Sequence, residues 1–197
     1  MKHSAVFFDR DDTLMVNIPY LGDPEKVEIF PEAAAAMFML RQAQFWLFVV
    51  SNQSGVGRGL ITRSQVFAVN AEMHRQLGGD NFVAFYNSFA TPEDDPESTD
   101  RKPSPKLLFK AAEMHDIDLP NSFFVGDRLS DIECGLNAGC RTVLLTHEKS
   151  SRRDSFDQDD ATARVKAHYI ASNLMEAAQW IMQVSTSTPI LKTHELE

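Results

Sequence analysis

Asp9-Arg10-Asp11-Asp12-Thr13 closes a short apolar run, Ala5 to Phe8, near the start of a 197-residue chain. Carboxylates packed this closely can hold a hard cation or attack phosphorus, although Asp and Thr also serve turns and helix caps. Later apolar runs end in similar chemistry. Ser51-Asn52-Gln53-Ser54-Gly55 follows one of them, Gly126-Asp127 with Asp131 follows another, and Arg101-Lys102-Pro103 lies between. Phosphoryl transfer needs this inventory: a nucleophile in line with phosphorus, a cation bridging oxygens, and donors for the spreading charge of the transferred group. Water could attack directly. A carboxylate could instead form an acyl phosphate and split one hard displacement into two. Oxygen ligands placed close together, with room for water, suit octahedral Mg²⁺ better than a soft metal.

These groups can act together only if the fold gathers them. Short β-type runs alternate with helix-type segments from end to end. That order implies an α/β fold, three-layer and Rossmann-like, with a mainly parallel sheet, helices on both faces and a minimal cap made from loops. Strands are expected at residues 5–8, 45–50, 82–86, 122–125, 142–145 and 168–171. Pro31 leads into an alanine-rich helix ending near Gln42, and Thr62 can cap a helix with Val66, Val69, Met73 and Leu77 at helical spacing. Leu107, Leu108, Ala111 and Ala112 mark a third stripe, with further helices at 130–137 and 174–184. Segments 15–30, 91–105 and 149–164 read as irregular. Residues 1–184 are expected to form a single domain, and 185–197 a mobile polar tail. In an open parallel sheet, ligands bind at the carboxyl edge of the strands, where every polar group named above falls.

Composition narrows the function classes. With 43% hydrophobic and 24% charged residues the chain can build an ordinary core, which excludes global disorder. A net charge of −9 disfavours nonspecific attraction to nucleic acid or an anionic membrane, and leaves room for a locally basic pocket. Cys134 and Cys140 are too few for a disulfide framework or a cysteine-rich zinc cluster. No apolar run approaches the length of a membrane span, and the first is too short for a signal peptide. A reducing, cytoplasmic compartment is expected, with a monomer or weak homo-oligomer. Gly55-Val56-Gly57-Arg58-Gly59 reads as a flexible turn rather than a dinucleotide loop, and the histidines are scattered, most of them expected at the surface or on helices.

The order of motifs, from Ala5 to about Leu145, resembles the haloacid dehalogenase phosphatase superfamily. The resemblance implies that Asp9 is the nucleophile and Asp11 the general acid and base, and that Asp9, Asp11 and Asp127 hold Mg²⁺, Asp11 through its backbone carbonyl. It also implies that Ser51, Asn52 and Lys102 bind phosphate or substrate, and that Asp131 supports the metal-site waters or the lysine. Phe8-Asp9-Arg10-Asp11, Pro19-Tyr20-Leu21, Ser51 to Gly59, Arg101-Lys102-Pro103-Ser104-Pro105 and Val125-Gly126-Asp127 are similar to the branch containing histidinol phosphatases and D-glycero-D-manno-heptose-1,7-bisphosphate phosphatases. That branch acts on small phosphorylated metabolites without a large cap, and makes Arg101 and Arg128 substrate contacts. The implied substrate is a sugar phosphate or bisphosphate.

Two departures stand out. The branch usually has Gly where Asp12 stands, so an extra carboxylate either crowds the metal site or points to solvent. It also often carries a zinc loop of Cys-x-His and Cys-x-Cys before Arg-Lys-Pro. Here Ser98 and Asp100 occupy the latter pair's positions and Asn87-Ser88-Phe89 lies where the former would start, so no structural zinc is expected. Two other readings remain open at this stage. A polynucleotide-end phosphatase shares the Asp-x-Asp and Thr/Ser-Asn-Gln pattern but fits poorly with the acidic charge, and a catalytically retired phosphate-binding scaffold would explain Asp12 and the missing zinc loop but not the intact Asp9, Asp11, Ser51, Lys102 and Asp127.

Overall fold

In the computed structural model, which describes residues 2–94, 99–147 and 158–186, the apolar runs become one sheet. Its strands are β1 (Ala5–Phe8), β2 (Trp46–Asn52), β3 (Ala84–Ser88), β4 (Phe123–Gly126), β5 (Arg141–Leu145) and β6 (Tyr169–Ala171). The order is β3-β2-β1-β4-β5-β6, and every neighbouring pair is parallel. Near-continuous Phe and Val in β1, β2 and β4 suit strands that are covered on both faces. From β1 the chain winds outward to β3, then returns to the centre at β4 and winds the other way. The crevice where winding reverses lies between the carboxyl ends of β1 and β4.

Seven α-helical segments are described: α1 (Ala33–Gln42), α2 (Ser54–Gly57), α3 (Arg63–Gln76), α4 (Lys106–His115), α5 (Leu129–Asn137), α6 (Gln158–Lys166) and α7 (Leu174–Thr186). Helices α1, α3 and α7 bury Met37, Val69, Met73 and Ile181 against Val6, Phe8, Val49 and Val143. On the opposite face Leu107, Leu108 and Ala111 of α4 and Cys134 of α5 cover Ala5, Phe7, Phe48 and Phe124. Thr62 caps α3 as expected. Its Oγ1 accepts from Gln65 N at 3.2 Å while Gln65 Oε1 accepts from Thr62 N at 2.9 Å, so each satisfies a donor that the helix leaves free.

The differences from the expected elements have local causes. β2 runs on to Asn52 because Ser51 and Asn52 pair with Asn87 and Ser88 of β3, so both polar residues are strand residues rather than members of a following turn. The glycine-rich stretch read as a flexible turn instead holds the helical turn α2. Part of the segment read as irregular at 149–164 is α6, whose buried Ala163 packs on Ile132 and Leu144. Residues 148–157 lie outside the described residues. Helix α7 continues to Thr186, two residues beyond the expected domain end, and the remainder of the expected tail, 187–197, also lies outside. Among the described residues no helix is long and apolar enough to cross a membrane.

Helix α5, which carries the acids after β4, sits close to the sheet because Gly135 has no side chain. A Cβ there would lie 2.6 Å from Thr142 Cγ2 and 2.7 Å from Phe124 Cβ. Gly135→Ala gains up to about 1 kcal/mol of helix propensity, but overpacking against two strands costs about 1–3 kcal/mol. A lower denaturant midpoint is expected for the variant by chemical unfolding; a raised midpoint would show that α5 lifts off the sheet at no cost.

Candidate active site

β1 delivers Asp9 to the crevice beside β4, where its backbone N–H donates to Val125 O at 3.0 Å and carries the parallel pairing one residue past the strand. The loop ahead of α4 lays Lys102 across the same spot. Its Nζ lies 2.7 Å from Asp9 Oδ1, 2.7 Å from Asp131 Oδ1 and 2.9 Å from Val50 O. Two of these approaches are ion pairs and the third, to Val50 O, is a hydrogen bond, so oxygens surround the ammonium on three sides. Asp131, in the first turn of α5, is fully buried and accepts from Arg128 N through its other oxygen at 3.0 Å. Gly126 ends β4 beneath it, since a Cβ at that position would collide with the Asp131 side chain. Carboxylate oxygens of Asp9, Asp127 and Asp131 fall within 4.8 Å of one another.

Charge is unevenly compensated in this cluster. Burial pushes the Asp9 carboxyl up to about 6, with Lys102 pulling it down and Asp131 and Asp11 pushing it up. Burial, then Asp131 and Asp9, hold Asp127 well above the ordinary carboxylate range. Burial also works against the Lys102 ammonium, yet Asp131 and Asp9 together outweigh it, and the lysine is held above its usual value. Lys102 is therefore charged and serves Asp9 and Asp131. Asp127 is left over: neither of its oxygens has a hydrogen-bond partner among the described residues, and Arg128 Nε stands 3.7 Å away. A buried carboxylate with a distant ion pair and no hydrogen bond, beside two other acids, offers hard oxygen donors to a cation, which fits Mg²⁺.

Asp11 faces a different partner. Arg10 Nε and Nη2 approach both of its carboxylate oxygens at 3.0–3.3 Å. Gln53 Nε2 donates to Asp11 Oδ2 at 2.9 Å and to Ser51 Oγ at 2.8 Å, so Asp11 and Ser51 are linked through one amide. Neither Arg10 nor Gln53 was expected to matter on its own. The available signals were an arginine between two aspartates and an amide two residues from the serine. Asn52 uses its amide on the lysine loop: Oδ1 accepts from Lys102 N at 3.0 Å and Nδ2 donates to Lys102 O at 3.2 Å.

Asp12 has φ +56°, the left-handed region that favours glycine, which accounts for the residue usual at that position in the branch. Its side chain does not point to solvent. It is fully buried, and Oδ1 accepts from Asn17 N at 3.3 Å. The same turn is braced by His147, which is buried rather than at the surface, stacks on Phe30 at 3.8 Å and donates from Nε2 to Thr13 O at 3.2 Å.

A cavity of about 330 Å³ opens above Asp9, Asp11, Ser51 and Lys102. Asn17, Pro19 and Tyr20 form one wall, and Arg101 and Arg128 line it as well. Burial, then the charges of Arg128 and Arg58, lower the Arg101 value. The loop leading to Arg101 is tied at its base by Ser88 Oγ donating to Asp100 Oδ1 at 2.5 Å. Ser98 lies outside the described residues.

Comparison with known proteins points the same way. A family model described as HAD-hydrolase-like matches residues 99–177. The chain is 33% identical over 154 residues to a D-glycero-D-manno-heptose-1,7-bisphosphate 7-phosphatase of Chlorobaculum tepidum, covering 72% of this chain and 77% of that protein. It is 31% identical over 192 residues to a protein of the same name from Thermosynechococcus vestitus, covering 92% and 96%. The crystal structure of a D,D-heptose 1,7-bisphosphate phosphatase from B. bronchiseptica, complexed with magnesium and phosphate, superposes with a TM-score of 0.75 at 24% identity, over 92% of this chain and 99% of that one. That likeness shows a shared fold.

The carboxyl shifts set a pH dependence for cation binding. A carboxyl held above its ordinary value favours the protonated folded form, so the metal-free protein loses stability as pH rises from the ordinary carboxylate range through about 6 for Asp9, and further for Asp127. A bound cation removes that penalty, while protons compete with it in acid. Mg²⁺ is expected to raise the unfolding temperature more at about pH 7.5 than at about pH 5. Equal shifts at the two pH values in a thermal melt would contradict the acidic site.

Proposed function

Because the chain belongs to the haloacid dehalogenase phosphatases, in the branch with the heptose-1,7-bisphosphate phosphatases, we propose that it hydrolyses a phosphomonoester on a compact sugar carrying a second anionic group. The observation that carries this reading is the Asp9 carboxylate, paired with a buried lysine at the base of a cavity whose rim carries Arg101 and Arg128. Asp9 attacks phosphorus, forming an aspartyl phosphate as the ester P–O bond breaks, and Asp11 gives a proton to the departing oxygen. Asp11 then takes a proton from water, which attacks the aspartyl phosphate and frees Asp9 and inorganic phosphate. Ser51 and Lys102 face the transferred phosphoryl group, Asn52 fixes the lysine loop, and Asp131 keeps the ammonium in place.

Asp9, Asp127 and the backbone carbonyl of Asp11 would hold Mg²⁺, which supplies positive charge against the repulsion between the acids and an anionic substrate. The name of the relatives suggests the 7-phosphate of a heptose bisphosphate as the bond that is cut. Two arginines lining the cavity of a net acidic chain favour a second phosphate on a small molecule over a long polyanion. The protein acts in the cytoplasm under this reading, as a monomer or weak homo-oligomer and without a structural zinc ion.

A panel of sugar mono- and bisphosphates, histidinol phosphate and a nucleic-acid 3′-phosphate, assayed with Mg²⁺, tests the assignment. The heptose bisphosphate should be preferred, and a folded Asp9→Asn protein should show no turnover on any of them. A preference for the nucleic-acid end would refute the substrate class, and near-normal turnover by Asp9→Asn would remove Asp9 as nucleophile.

The arginines give a second check. Losing one charged hydrogen bond to phosphate costs about 1.5–3 kcal/mol. Arg101→Ala and Arg128→Ala should each raise KM for the bisphosphate about 10-fold or more, with a much smaller change for the matching monophosphate. Equal effects on both substrates would deny the arginines a second phosphate.

A further inference from the structure

Arg10 is among the largest fully buried side chains, at 1% exposure, and it lies between the two acids of the first motif. A guanidinium is costly to bury unless its donors are met. Nε and Nη2 face the Asp11 carboxylate, and Nη1 donates to Asn70 Oδ1 at 2.9 Å. Asn70 is itself buried on α3, and its Nδ2 donates to Asn87 Oδ1 at the end of β3, 3.3 Å away. A hydrogen-bonded line therefore runs from Asn87 through Asn70 and Arg10 to Asp11, joining β3 and α3 to the loop after β1. Neither Asn70 nor Asn87 lines the cavity.

The geometry of this line restricts Asp11. Nε and Nη2 each lie 3.0–3.3 Å from both Asp11 oxygens, so the O–O edge lies across the N–N edge and a rigid pair of donors, which a lysine lacks, holds the carboxylate from one side. Asn70, bonded to the third nitrogen, fixes the plane of the guanidinium in turn. Proton transfer demands that placement, because the acid must be within hydrogen-bond reach of the leaving oxygen and then of water.

We propose that Arg10 and Asn70 are positioning residues for Asp11, with Asn70 orienting the guanidinium from α3 and Arg10 orienting the carboxylate. The proposal rests on the reading of Asp11 as proton donor and acceptor. A role in stability alone would lower the unfolding temperature without acting through Asp11. A positioning role changes kcat, spares substrate and metal binding, and disappears when Asp11 can no longer transfer a proton.

Kinetics of Asn70→Ala, Asn70→Asp, Asp11→Asn and the Asn70→Ala/Asp11→Asn double variant separate these cases. The substrates are the heptose bisphosphate and p-nitrophenyl phosphate with Mg²⁺, after a thermal melt of each protein. Asn70→Ala should lower kcat about 10-fold, with KM and the half-saturating Mg²⁺ within about twofold. Asn70→Asp keeps an acceptor facing Arg10 and should recover most of the rate. In the Asp11→Asn background, Asn70→Ala should cost nothing further. Wild-type kcat for Asn70→Ala beside an impaired Asp11→Asn would overturn the proposal alone, as would equal losses for Ala and Asp or a loss carried by KM. Wild-type kcat for Asp11→Asn would instead overturn the acid–base reading, and the proposal with it. If Asn70→Ala does not fold, Arg10→Lys, which keeps the charge and loses the planar donors, takes its place: a kcat loss at constant KM is expected, and an unchanged kcat refutes the link.

Discussion

A single buried ammonium holds the acidic edge of this sheet together. Lys102 Nζ is enclosed by Asp9, Asp131 and the Val50 carbonyl, and its side chain is almost wholly removed from water. Two buried carboxylates at the ends of β1 and α5 would repel each other without it. Removing one partner of such a buried arrangement leaves a charge with no compensation, which costs more than a surface ion pair could contribute. Much of the surrounding structure serves to bring the lysine there. Asn52 binds both the N–H and the C=O of Lys102, Ser88 and Asp100 tie the base of its loop, and the absence of a side chain at Gly126 makes room for Asp131.

The same edge treats its acids in three ways. Asp9 and Asp131 share the lysine, Asp11 has its own arginine, and Asp127 has no hydrogen-bond partner among the described residues. On the proposed reading, this division suits a two-step displacement. A nucleophile needs a cation close by without losing its lone pairs, a proton carrier needs a fixed direction, and a metal ligand needs free oxygens. Backbone connectivity makes the division possible. Asp9 and Asp11 are two residues apart, yet one turns toward β4 and α5 and the other toward β2 and α3. Asp12, in the left-handed region, lies where the chain leaves this edge.

Charge is sorted on a larger scale as well. The chain carries a net −9, while Arg101 and Arg128 line the cavity and the charges of Arg128 and Arg58 act on Arg101. Arg58 is partly neutralised by Glu93 at 2.9 Å, and Arg128 lies near Asp127. The cavity thus sets arginine charge against an acidic chain.

The linear pattern of residues determined the element order and the parallel sheet, because apolar runs and helical spacing are local properties. It also determined which residues meet at the carboxyl edge, because in such a sheet each strand ends on the same side. Resemblance added roles for Asp9, Asp11, Lys102 and Asp127. What spacing along the chain could not supply was the pairing of side chains far apart in sequence. Arg10 reaches Asn70 across 60 positions and Asn52 grips Lys102 across 50. Nothing in either local stretch marks a buried partner. Helix α6 was hidden for a similar reason: its own residues are mostly polar, and Ala163 gains its burial only from Ile132 and Leu144 on other elements. Asp12 could be read as crowding the site or facing water, and the choice between them fell to the turn that buries it and the Asn17 N–H that meets it, since a side chain's direction is set by the packing around its backbone.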